Sequence, residues 1–165
     1  MRRWQPALLA LAIAGAAMAG GTMGSDCDRR GGGHADGGQM QPARLEELIR
    51  NQAREVNGLP AMLEFVFDGV RMACISDVRH DRMRIIAPIA ALDGLTAEQR
   101  QRVLEANFHS ALDARYASSG GVLYAAYLHP LGALSEAEVG SALRQVAHLV
   151  TTFGDTDSSG DLQYG

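Results

Sequence analysis

Apolar residues recur at helical spacing in the stretch QPARLEELIRNQAREVNG, where Leu45, Leu48, Ile49, Ala53 and Val56 share one face. Pro42 suits a first turn and Gly58 the residue just past a helix end. The pattern predicts an amphipathic helix. The period then changes. In MLEFVFDGVRMACISD two apolar runs flank Asp68-Gly69, a pair suited to a type I′ turn because both positions take positive φ there.

A two-residue turn at Asp68-Gly69 dictates the cross-strand pairs. Phe67 lies opposite Val70, Phe65 opposite Met72 and Leu63 opposite Cys74, all on one face. The other face takes Val66 with Arg71, Glu64 with Ala73, and Met62 with Ile75. One face is a core and the other is mixed, and a one-residue slip would exchange them. Cys74 is therefore expected inside, as a small hydrophobe.

A polar turn, DVRHDR, leads to a third strand, Met83 to Leu92, in which Pro88 requires either an edge position or a bulge. Thr96 and Gln99 have capping-box spacing and open a second helix, with Val103, Leu104, Phe108, Ala111 and Leu112 as its apolar face. ARYASSGGVLYAAYLHPLG gives a short strand, a Ser/Gly turn and a longer strand from Val122 to Leu128. Ser135 and Glu138 form a second capping box, and Val139, Leu143, Val146, Ala147 and Val150 line the closing helix up to Gly154. The order is helix, three strands, helix, two strands, helix. Tight turns favour an antiparallel sheet with helices packed on it, an α+β domain.

The chain ends add a compartment. Arg2 and Arg3 precede an apolar run from Pro6 to Met18, and Ala17-Met18-Ala19 supplies small residues for a signal peptidase, so cleavage is expected before Gly20. The run is shorter than the ~18–20 residues of a spanning helix, and no integral membrane segment is expected in the mature chain. Residues 20–40 are Gly-rich without apolar period and are expected to form a flexible tether, with the domain at 41–154 and a flexible tail at 155–165. A periplasmic or secreted protein follows.

Cleavage removes two arginines and no acid, so the 15 basic and 19 acidic residues become 13 and 19, a net charge of about −6. That balance argues against nucleic-acid binding. Two cysteines, Cys27 in the tether and Cys74 in the hairpin, leave open a bridge within or between molecules.

Candidate chemistry is sparse. LEANFHSALDARYASSGG concentrates polar residues, but His109 and Ser110 are neighbours on a helix and point apart, and no Gly-x-Ser-x-Gly elbow accompanies the serines. His109 with Asp113, and His80 with Asp81, are the groups on which a small periplasmic hydrolase or metal-binding protein would have to rest. The five histidines show no His-x-x-x-His or His-Glu-x-x-His spacing, and neither a catalytic set, a metal site nor a cofactor is expected. Surface is what remains. Met62, Val66, Ala73 and Ile75 on the second hairpin face, with Tyr116, Tyr124 and Tyr127, are more apolar than solvent requires. They either complete the core under a helix, form a dimer seam, or receive an extended segment of another protein.

The hairpin LEFVFDGVRMACIS, the helix LTAEQRQRVLEANF, the run GVLYAAYLHPLGALSEAEV and the closing helix SALRQVAHLVTTFG together resemble the bacterial type III secretion chaperone family of the Tir-chaperone (CesT) type. A YbjN-like sensory family shares this sort of fold. The resemblance covers roughly residues 41–154. It implies a small acidic α+β homodimer without enzymatic activity that binds unfolded segments of other proteins on apolar patches. It implies a dimer helix at Thr96 to Leu112, for which Val103, Leu104 and Phe108 are the expected seam, and the over-apolar residues Met62, Val66, Ile75, Tyr124 and Tyr127 are then the expected binding surface. Chaperones of that family work in the cytoplasm, whereas this chain carries an export signal. The expectation is a chaperone-like protein-binding module of the bacterial envelope.

Overall fold

The computed structural model describes residues 39–158. The expected export signal at 1–19, most of the tether with Cys27, and the end of the tail from residue 159 lie outside the described residues. Helix α1 (Pro42–Gln52) is followed by strands β1 (Arg54–Leu59), β2 (Met62–Phe67), β3 (Val70–Asp77) and β4 (Arg82–Ala91). Helix α2 (Ala97–His109), strands β5 (Arg115–Ser119) and β6 (Val122–His129), and helix α3 (Glu136–Thr151) complete the order. The six strands form one antiparallel sheet in the order β1-β2-β3-β4-β6-β5. The architecture is the α+β one expected, with one strand more.

That extra strand is β1. The expected continuation of the first helix to Val56 stops at Gln52, because Ala53 turns extended while its N–H still donates to the Ile49 carbonyl. Residues 54–59 then pair with β2. Val56 is partly buried and the other β1 residues are exposed, so the strand has almost no alternation by which its sequence could announce it. Glu55 takes positive φ where the ladder slips between Arg54 and Asn57. Gly58 is not a helix cap. It has a φ of 104°, and a Cβ there would run into the Met62 carbonyl oxygen. Only glycine allows this approach.

The hairpin forms in the predicted register, with Asp68 at φ 47° and Gly69 at φ 78° and all six expected pairs in place. Leu63, Phe65, Met72 and Cys74 are fully buried, and with Met83, Ile85, Leu123 and Ala125 they make the inner face of the sheet. Leu45, Leu48 and Ile49 of α1 and Val139, Leu143 and Val146 of α3 join them in one core. Both capping boxes are present, Thr96 with Gln99 and Ser135 with Glu138. Accepting from the Ser135 N–H holds the Glu138 carboxylate below its usual pKa. Pro88 sits in the interior strand β4, not at an edge, and the pairing with β6 shifts between Pro88 and Ala90, so the bulge alternative is the one the chain uses.

Met40, placed in the tether, is buried in the core. Beyond α3 the chain stays packed to Ser158. The buried Asp157 carboxylate accepts from the Arg102 guanidinium at 2.7 Å, the Tyr116 hydroxyl at 3.2 Å and the Gly154 N–H at 2.8 Å. Among the described residues no helix is long and apolar enough to cross a membrane.

Candidate protein-binding face

Residues directly opposite in an antiparallel ladder share a face, so the register defines what the outer side of the sheet presents. One cross-strand row runs Leu59, Met62, Ile75, Arg84, Leu128 over β1, β2, β3, β4 and β6. The next runs Glu64, Ala73, Ile86, Ala126, Arg115. A third holds Pro88, Tyr124 and Ala117, with Val66 opposite Arg71 at the hairpin end. The helices supply the core on the inner side, and among the described residues no element covers the outer one. Leu59 is 74% exposed and Leu128 59%. A fully buried leucine contributes roughly 1.5–3 kcal/mol relative to an exposed one, stabilisation that neither residue supplies to this fold. Ala126 is nonetheless buried, its small side chain standing among Ile86, Arg115, Tyr124 and Leu128.

Of the expected surface residues, Met62, Val66, Ile75 and Tyr124 stand on this outer face. Tyr127 does not. It is 4% exposed and lies with Ile85 on the inner face, where burial raises the pKa of its phenol. Tyr124 and Tyr127 are three apart, an odd number, and a strand sends them to opposite sides. The same alternation from Tyr124 leads to Leu128. Leu59 carries no such signal, because its strand shows almost no alternation.

The second helix divides its expected apolar face. Val103 and Ala106 are buried, whereas Leu104 is 65% and Phe108 84% exposed. Successive residues turn by about 100° on a helix, so Val103 and Leu104 cannot face the same way, while Leu104 and Phe108 are one turn apart and adjacent. An open cleft of about 460 Å³ lies beside Leu104, lined also by Leu95, Arg100, Val103, Tyr116 and Leu123.

Asn107 and Ser110 of the stretch 104–121 are spent on backbone. The Asn107 amide donates to the Tyr116 carbonyl at 3.0 Å and accepts from the Tyr116 N–H at 2.7 Å. Ser110 donates to the Asp157 carbonyl, and the Asp113 and Ala114 N–H groups donate to Gln145. His80 does not meet Asp81. Its ring contacts Asp77 at 2.6 Å, which lowers the Asp77 pKa, while Asp81 accepts from the Gly132 N–H at 2.7 Å. Among the described residues no three His, Cys, Asp or Glu side chains gather as a metal site would require.

No protein-family model matches the chain, and no curated protein does. Solved structures do share its fold. A chain of the HopA1-SchA Chaperone-Effector Complex superposes with a TM-score of 0.51 at 10% identity, over 66% of this chain and 88% of that one. A chain of the ExsC-ExsE Complex gives 0.52 at 13% identity, over 68% and 92%. At these identities the likeness is one of fold, and the fold is type III secretion chaperone-like.

Proposed function

We propose that this chain is a non-enzymatic, chaperone-like module that binds another protein on the outer face of its sheet. The observation that carries the reading is the row Leu59, Met62, Ile75, Arg84, Leu128, whose apolar members stand on a face that no other described element covers, with Leu59 and Leu128 largely exposed. Large uncovered apolar surface on a small acidic protein marks an interaction site. The structural neighbours include a chaperone bound to an effector, which supports a protein as the occupant. Leu104 and Phe108 on α2 supply a second apolar surface, the one proposed for the homodimer, with Val103 beneath it as part of the core. The residues 1–19 support export to the periplasm or beyond, with cleavage before Gly20.

The test of the main claim is suppression of aggregation of a chemically unfolded reporter protein. The mature protein is expected to suppress it and Met62→Glu with Leu128→Asp to abolish the effect without loss of fold. Undiminished suppression by that double variant would refute the outer face as the site. N-terminal sequencing of the protein from a periplasmic fraction checks the export reading, for which the expected first residue is Gly20.

A further inference from the structure

The outer face is also charged, with the opposite sign to the chain. The register puts Arg54, Arg71, Arg82, Arg84 and Arg115 on it. Against these five stand three carboxylates, Glu64 and Asp77 in the same rows and Glu55, which reaches Arg71 at 3.8 Å. Asp77 is already engaged by His80 at 2.6 Å. No ion pair is formed by Arg54, Arg84 or Arg115 among the described residues. The whole chain has a formal net charge of −4. The arginine surplus of this face is therefore a local inversion, whereas on the helices of the other side Glu46, Glu47 and Glu136 are paired with Arg44 and Arg50. Such an inversion selects partners by sign and speeds their encounter.

Arg84 fixes the detail. It interrupts the apolar row between Ile75 and Leu128, so whatever covers the row must offer Arg84 an acceptor or leave a guanidinium desolvated and unpaired. The row crosses four strand intervals of ~4.8 Å, about 19 Å, the length of roughly six residues of extended chain. An extended segment of that length turns every second side chain to the sheet.

We infer that the outer face recognises an extended segment of a partner protein whose sheet-facing side chains, every second residue, are apolar except for one aspartate or glutamate that meets Arg84. This inference rests on the protein-binding reading above and adds the partner's chemistry to it.

The experiment is fluorescence anisotropy with three labelled twelve-residue peptides. All three carry serine at the solvent-facing positions and leucine at the sheet-facing ones, except that one central sheet-facing residue is glutamate, lysine or serine, and each is measured at low and high salt. The glutamate peptide is expected to bind about fivefold more tightly than the serine one, the size of one exposed charge pair, and to lose that margin in high salt. The lysine peptide is expected to bind weakest. Arg84→Glu, an exposed substitution, should reverse the order of the glutamate and lysine peptides. Equal binding of all three by the native protein, or an unchanged order in Arg84→Glu, would overturn the partner chemistry and leave the protein-binding reading standing. Failure of every peptide to bind would overturn both. Sedimentation with vesicles of one part phosphatidylglycerol to three of phosphatidylcholine, not displaced by the glutamate peptide, would assign the face to a membrane and overturn the inference.

Discussion

The side-chain amide of Asn107 occupies both backbone groups of Tyr116, as a neighbouring strand would. Helix α2 thereby closes one position on the free edge of β5, the last strand of the sheet. Few large side chains of α2 are buried, since Val103 and Ala106 are its inward residues while Leu104 and Phe108 face out. Polar contacts, more than apolar burial, seat this helix.

Asn107→Ala is therefore expected to destabilise the protein by about 2 kcal/mol, because it strands a partly buried donor and acceptor together. The shift in the urea midpoint measures this. Hydrogen exchange gives the local readout, with the Tyr116 amide losing protection more than the amides of β3.

A second polar anchor ties α2 to the chain beyond α3. Asp157→Ala removes the acceptor of Arg102, the Tyr116 hydroxyl and the Gly154 N–H at once. The expected loss is about 2 kcal/mol, again by denaturant midpoint. Asp157 has a φ of 50°, a conformation that asparagine also tolerates, so Asp157→Asn should lose less than alanine. Equal losses for the two would mean that the geometry of the carboxyl group is irrelevant.

These anchors mark where sequence reasoning ended. The Asp68-Gly69 turn fixed six pairs, and with them the face of every residue in β2 and β3, because turn chemistry and alternation are both local. The capping boxes were legible for the same reason. Strand β1 was not, for it is exposed on most sides and owes its conformation to the unpaired edge of β2 rather than to its own pattern. Asp157 looked like part of a loose polar tail, since its partners lie 41 and 55 residues away along the chain. In the candidate face, Met62, Val66, Ile75 and Tyr124 followed from alternation. Tyr127 shares only its residue type with Tyr124, and the strand's period separates them.

Cys74 provides a pH-dependent check on the inner face. Burial pushes its thiol up to about 12, against roughly 8.5 in an unfolded chain. A raised folded-state pKa contributes stability that is present below the unfolded value and lost as pH climbs from there towards the folded one. In a Cys27→Ser background, the protein is expected to weaken above about pH 9, and a Cys74→Ala variant, though less stable throughout, should lose that alkaline slope. At pH 8 iodoacetamide should modify Cys74 only on unfolding, with a urea midpoint matching that of circular dichroism. Modification within seconds in native buffer would contradict the placement of Cys74 against Leu63 and Ile85.

The two faces of β6 make opposite demands on neighbouring residues, and substitution at 127 and 128 separates them. Tyr127 is packed into the core, so Tyr127→Ala should cost about 3–5 kcal/mol and expose the protein to unfolding at moderate urea. Leu128 is largely solvent-exposed, and Leu128→Asp should change stability by no more than about 0.5 kcal/mol. Binding is expected to respond in the other order at temperatures where both variants are folded. Leu128→Asp places a carboxylate beside Arg84, neutralising the charge that an acidic segment would meet and removing the apolar contact in one step. A partner held on the outer face must then dissociate faster, while Tyr127→Ala, once folded, should bind as the native chain does. If Tyr127→Ala abolished binding under conditions where circular dichroism shows it folded, the inner rather than the outer surface would be the one that the partner touches.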